Sequence, residues 1–191
     1  MFDVTPVTFT YKIRPDDTIY EIGLGWDEFA TANDAPHLTA DRVSGQSLWD
    51  HITGREIRHL YQMLVSKARK VGVTLSVPFR CDSPRARRYC RLDIVPATDG
   101  SVTFHSIISR VDSRPEIALL DVEQPRCEEA VTVCSWCKVV YSPESGWVEA
   151  ERAIAEMDLF GGECQPAITH GICPSCFALA EREIERVSAV S

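Results

Sequence analysis

Two short cysteine pairs, Cys134-Ser-Trp-Cys137 and Cys173-Pro-Ser-Cys176, are separated by 35 residues in a chain of 191. Two intervening residues let a tight turn aim both sulfurs of a pair at one centre, and two such turns supply the four-thiolate tetrahedron that Zn2+ prefers. The spacing therefore predicts a metal site made of Cys134, Cys137, Cys173 and Cys176, with Zn2+ as its cofactor. Four protein thiolates leave no open coordination position, so the expected role is structural. A dithiol redox pair is the competing reading of the C-x-x-C spacing. His170 lies three residues before Cys173; it could replace a cysteine or donate a hydrogen bond to a ligand sulfur, and we expect the second.

The other cysteines, Cys81, Cys90, Cys127 and Cys164, have no paired spacing. Cys81 and Cys90 could face each other across a hairpin, but an isolated cysteine in a reducing compartment serves more often as a small apolar core residue. Arg80, Arg85, Arg87, Arg88 and Arg91 place five guanidinium groups within twelve residues. They could form a phosphate or acidic-partner site; the plainer reading is a solvated hairpin neutralised by Asp82, Asp93 and other carboxylates. No Gly-rich phosphate loop, nucleophile elbow or metal-hydrolase helix motif is present, so we expect no enzyme.

Of the net charge of −8, residues 127–191 carry 4 Lys/Arg against 11 Asp/Glu, which is −7. An anionic cysteine-rich half is poorly suited to phosphate backbones, which opposes nucleic-acid binding. No run approaches the ~20 apolar residues of a membrane span, and the start lacks the basic-then-apolar pattern of a secretory signal. A cytoplasmic protein without a membrane partner is expected.

The elements that must position the cysteines follow from periodicity. Thr8–Ile13 alternates apolar and polar residues and leads through Arg14-Pro-Asp-Asp into a second short apolar run, Thr18–Ile22, which reads as a hairpin. Short helices fit the pieces between Gly23 and Gly54. A longer helix follows, with Ile57, Leu60, Tyr61, Leu64, Ala68 and Val71 at three- and four-residue steps behind a capping-box candidate, Thr53-x-x-Glu56. After Gly72 the period is two, in Val73–Phe79, Cys90–Ile94 and Ser101–Val111. Residues 112–130 read as a linker whose Ile117–Leu120 run could add a strand or dock on a sheet. Beyond it, Trp147, Ala150, Ile154 and Met157 predict an amphipathic helix over the cysteines, and Phe177, Ala180, Ile184 and Val187 share a face of a helix opened by the second pair.

The order of two strands, several helices and three antiparallel strands resembles the PAS sensor fold over residues 8–111. The resemblance is carried by Tyr11-Lys-Ile-Arg-Pro-Asp-Asp-Thr-Ile, Trp26-Asp-Glu-Phe-Ala and Gly45-Gln-Ser-Leu-Trp-Asp-His-Ile. A strand-side knuckle facing a pair at a helix N-terminus looks like a treble-clef module. Val133-Cys-Ser-Trp-Cys-Lys with His170-Gly-Ile-Cys-Pro-Ser-Cys is similar to a tail that follows PAS domains in bacterial signalling proteins. The resemblance implies an α+β chain: a PAS-like sensor domain at 8–111, a linker at 112–130 and a zinc-binding module at 131–191. It also implies a non-catalytic regulator that works through a protein partner or self-association, with a small-molecule ligand in a cavity for which Trp26, Phe29 and Trp49 are candidates. His51 and His59 stand where a haem-binding PAS domain would place an iron ligand, although nothing specifies haem. Nucleic-acid regulation and thiol redox sensing are the alternative functions. Loss of zinc is expected to loosen residues 130–191 and to leave 8–111 folded, since so small a module needs a staple.

Overall fold

The long central helix, α3 (Arg55–Val71), forms because Ile57, Leu60, Leu64, Val65 and Ala68 make one continuous buried stripe at helical spacing. It ends at Gly72, whose φ of 68° provides the left-handed cap that other residues adopt at a cost. At its start, Gly54 and not Thr53 is the capping residue, and no side chain caps the helix. Gly54 has φ 89°, and a Cβ there would lie 3.3 Å from the His170 carbonyl oxygen, so the expected capping box gives way to a close tertiary approach. The computed structural model describes residues 7–32, 35–121, 124–159 and 164–189.

Strands β1 (Val7–Ile13), β2 (Ile19–Ile22), β3 (Leu75–Arg80), β4 (Ala86–Pro96) and β5 (Val102–Ser113) form a sheet in the order β2-β1-β5-β4-β3. Every pairing in it is antiparallel. Between β2 and α3 lie the short helices α1 (Trp26–Ala32) and α2 (Ala40–Val43) and two single 3-10 turns. Alternation puts Leu75, Val77, Leu92, Ile94, Val102 and Phe104 on the face that α3 covers. A smaller sheet follows in the order β8-β7-β6-β9, built from β6 (Arg126–Cys134), β7 (Val140–Ser142), β8 (Gly146–Val148) and β9 (Gln165–Gly171). Strands β6 and β9 run parallel and are joined through the hairpin and α4 (Ala150–Met157). The last helix, α5, spans Pro174–Ser188.

The stretch expected as a linker is strand at both ends, since β5 runs to Ser113 and β6 begins at Arg126. Between them Ile117 and Leu119 dock into the small sheet's own core, with Val131, Val133, Val140 and Ala153. The other core is shared by both halves. Leu60, Leu64, Leu75 and Val77 belong to one buried cluster with Cys134, Trp136, Cys173, Cys176, Ala180 and Val187, because α5 lies across α3 and β3.

That packing also closes the edge of the large sheet. Ser76, Pro78 and Arg80 alternate along β3, the outermost strand. The Ser76 N–H donates to the Glu183 carboxylate of α5 at 2.6 Å, and the Arg80 N–H donates to the Trp136 carbonyl. Pro78 has no N–H to satisfy. An edge that would otherwise recruit another strand is thereby occupied by the cysteine-bearing half.

Candidate metal centre

Cys134 ends β6 and Cys137 stands in the turn before β7. Lys138, at φ 62°, closes the turn, and its N–H donates to the Cys134 carbonyl at 3.0 Å. Cys173 is the N-cap of α5, with Pro174 in the first helical turn, where a missing N–H costs nothing. Backbone N–H groups point at sulfur as well: Cys173 N–H lies 3.4 Å from Cys134 Sγ, and Cys176 N–H lies 3.5 Å from Cys173 Sγ.

The four Sγ atoms of Cys134, Cys137, Cys173 and Cys176 all lie within 4.8 Å of one another, with Cys137 and Cys173 at 3.6 Å. Metal–sulfur bonds of about 2.3 Å in a tetrahedron put sulfurs roughly 3.8 Å apart, so this donor set fits a thiophilic ion. Cys134, Cys173 and Cys176 are buried and Cys137 is half-buried. Without a cation such a group cannot ionise together. The neighbouring Cys137 and Cys176 thiols hold Cys134 far below the usual thiol range, and Cys134 in turn pushes Cys137 and Cys176 up. A bound dication would remove that conflict and keep all four as thiolates. No histidine nitrogen belongs to the cluster among the described residues. His170 instead lines a cleft beside the knuckle with Lys138, where desolvation and then the lysine charge hold its imidazole below the ordinary value.

Trp136, inside the first C-x-x-C, is only 1% exposed and meets the Tyr61 ring of α3 edge-on, centroids 6.0 Å apart. The sequence reading passed it over. A large aromatic side chain between two metal ligands has nowhere to lie but in a neighbouring core, which is the signal that could have found it. Phe177, expected on one helix face with Ala180 and Val187, is 38% exposed, and the inward face of α5 carries Cys176, Ala180 and Val187. The α4 helix packs on the far core with Val140 and Val148 rather than over the thiols.

The remaining candidates separate cleanly. Cys90 is buried in an apolar patch with Phe9 and Ile108, where burial pushes its thiol up to about 11. It pairs across the ladder with Phe79, not Cys81. Cys127 and Cys164, which no spacing linked, form a disulfide with Cα atoms 5.6 Å apart, joining the N-terminal ends of β6 and β9. The arginine-rich hairpin is largely neutralised: Arg80 pairs with Asp82 and Glu149, Arg87 with Glu149 and Glu151, Arg85 with Glu116 and Arg91 with Asp93. Trp26 lines a half-open pocket of about 200 Å3 with Tyr11, Ile22 and Leu48. Phe29 packs on Phe9 outside it, and Trp49 borders a different surface pocket. His59 is exposed on α3, and the His51 Nε2 is buried without a hydrogen-bond partner.

No family model and no curated protein matches the chain. Among solved structures, a domain of an HTR-like protein from Haloarcula marismortui aligns at 16% identity over 56% of this chain and 96% of that one, with a TM-score of 0.33. We build nothing on so loose a likeness. The fold and the site define a mixed α+β chain with an antiparallel five-stranded sheet, a smaller mixed sheet, short helices and a cysteine cluster able to hold a metal ion. No helix among the described residues is long and apolar enough to cross a membrane.

Proposed function

We propose that the chain is a PAS-like, signal-sensing regulator whose treble-clef-like C-terminal module is held by a structural Zn2+ on Cys134, Cys137, Cys173 and Cys176. It works without catalysis, by binding a ligand, a protein partner or a second copy. The observation that carries this reading is the shared core. Trp136 is seated against α3, and α5 covers the edge of β3, so any change in the sensor sheet is felt at the metal knuckle. Four soft ligands at tetrahedral spacing favour Zn2+ over oxygen-seeking cations. The N-terminal half supplies the two strands, short helices and three antiparallel strands that a PAS-like sensor requires.

Elemental analysis of the purified chain together with hydrogen exchange before and after chelation tests the proposal. One zinc per chain is expected, with chelation lowering protection in α5, β3 and α3 together. Absence of zinc, or chelation that leaves α3 and β3 unchanged, refutes it. Thiol redox sensing remains the second reading, favoured by the Cys127–Cys164 bridge, which forms under oxidising conditions and opposes a reducing compartment. The −7 charge of residues 127–191 and the paired arginines disfavour nucleic acid.

A further inference from the structure

Between the large sheet and the cysteine knuckle lies a cleft of about 230 Å3. Its walls bring Tyr11, Tyr61 and His51 from the N-terminal half against Trp136, Lys138 and His170 from the C-terminal half. No carboxylate lines it among the described residues. The Trp136 Nε1–H and the His51 Nε2 are both buried and meet no partner at hydrogen-bonding geometry. Unpaired buried polar atoms are costly; Trp136 borders this cleft beside the Tyr61 phenol, and His51 borders both this cleft and the pocket at Trp26. The Lys138 ammonium donates to the Ser135 carbonyl at 2.7 Å, which leaves further protons to give. Burial pushes the Tyr61 phenol up to about 12, slightly opposed by the Trp136 N–H beside it, and raises Tyr11 well above its ordinary value. Both phenols are therefore neutral O–H groups at pH 7. The first turn of α3, with its positive dipole end, borders the same space through Ile57.

We infer that this cleft binds a small organic acid, its carboxylate taken by Lys138 with the Tyr61 hydroxyl and the Trp136 N–H, and its carbon skeleton lying against Ile52 and Ile57. The volume admits about seven or eight waters at roughly 30 Å3 each, hence a ligand of fewer than about ten heavy atoms. Charge without a carbon part, as in inorganic phosphate, leaves the isoleucines unused. The cleft adjoins the pocket at Trp26, sharing Tyr11, His51 and Ile52 with it, and differs from it because Trp136 and Lys138, beside two of the thiols, complete it. Ligand and metal are thus coupled: each steadies the knuckle that the other needs, and the effect is reciprocal. This assignment rests on the proposed regulator reading.

The test is calorimetric titration of the zinc-loaded full chain with propionate, malonate and succinate, with propionamide and phosphate as controls. At least one carboxylate is expected to bind and to shift the Trp136 indole N–H resonance, while the amide and phosphate do not. Lys138→Met and Tyr61→Phe should each weaken binding by about tenfold or more while one zinc per chain is kept. If Lys138→Met loses zinc, Tyr61→Phe, which lies outside the knuckle, decides. A zinc-loaded chain that binds none of the acids, binds phosphate or the amide as well, or binds equally after Tyr61→Phe overturns the inference and leaves the regulator reading standing. A chain that never holds zinc sinks that reading, whatever the cleft binds.

Discussion

Replacing Trp136 with alanine removes the largest fully buried side chain of the molecule from the core that its two halves share. The ring meets Tyr61 of α3, and the same residue's carbonyl accepts the Arg80 N–H on the edge of β3. Truncating a buried aromatic of this size costs about 3–5 kcal/mol, against a net domain stability of about 5–15 kcal/mol. Trp136→Phe should behave differently. It keeps a ring against Tyr61 and deletes an indole N–H that lies beside the Tyr61 phenol without good hydrogen-bond geometry, a buried group costing up to about 1–3 kcal/mol. That gain offsets most of the loss from the smaller ring, leaving a net change within about 1.5 kcal/mol. Urea unfolding of zinc-loaded wild type and both variants measures the two numbers, and hydrogen exchange locates them. In Trp136→Ala the amides of α3 should lose protection by the same free energy as those of α5, because one core serves both. A phenylalanine variant as unstable as the alanine one would refute the unpaired N–H. Loss confined to residues 126–189, with α3 unchanged, would refute the shared core.

Arg80→Ala takes from the nearly buried Asp82 one of its two guanidinium partners, leaving Arg114, and leaves Glu149 with Arg87 alone; a broken buried pair costs at most about 3–5 kcal/mol, to be read from urea midpoints beside Arg85→Ala, whose exposed pair with Glu116 should cost under about 1 kcal/mol. Equal costs would show that the Arg80 network is not structural. Burial alone would raise the Glu183 carboxyl, but the Arg186 guanidinium and the Ser76 N–H outweigh it and hold it below its ordinary value of 4.5. A depressed folded value means that its stabilisation is complete above 4.5 and is lost as pH falls through the folded value. Wild type should therefore lose its stability advantage over Glu183→Gln below that pH, and an advantage constant through the acid range would contradict the sign. Thiol titration of the unfolded, metal-free chain should find six free thiols before reduction and eight after it. Cutting the Cys127–Cys164 link, which closes a segment of 37 residues, should lower stability by up to about 4 kcal/mol.

Local spacing carried the metal candidate. Two residues between cysteines oblige a turn whatever the rest of the chain does, and the four sulfurs so marked are those that lie together. The same holds for α3 and the strands from Leu75 to Ser113, where a period of 3.6 or 2 is written in adjacent residues. What the sequence left open depends on residues far apart in the chain. Gly54 replaces Thr53 as the cap because the His170 carbonyl comes close, 116 positions later. Phe177 turns outward because the sulfurs of Cys173 and Cys176 fix the rotation of α5, and the face they select carries Ala180 and Val187. Cys127 meets Cys164 only when β6 and β9 align in parallel, a register set by long-range packing. The cleft belongs to this second class: His51, Tyr61, Trp136 and Lys138 come from segments that share no local period, and only burial of one half against the other brings these residues around one cleft.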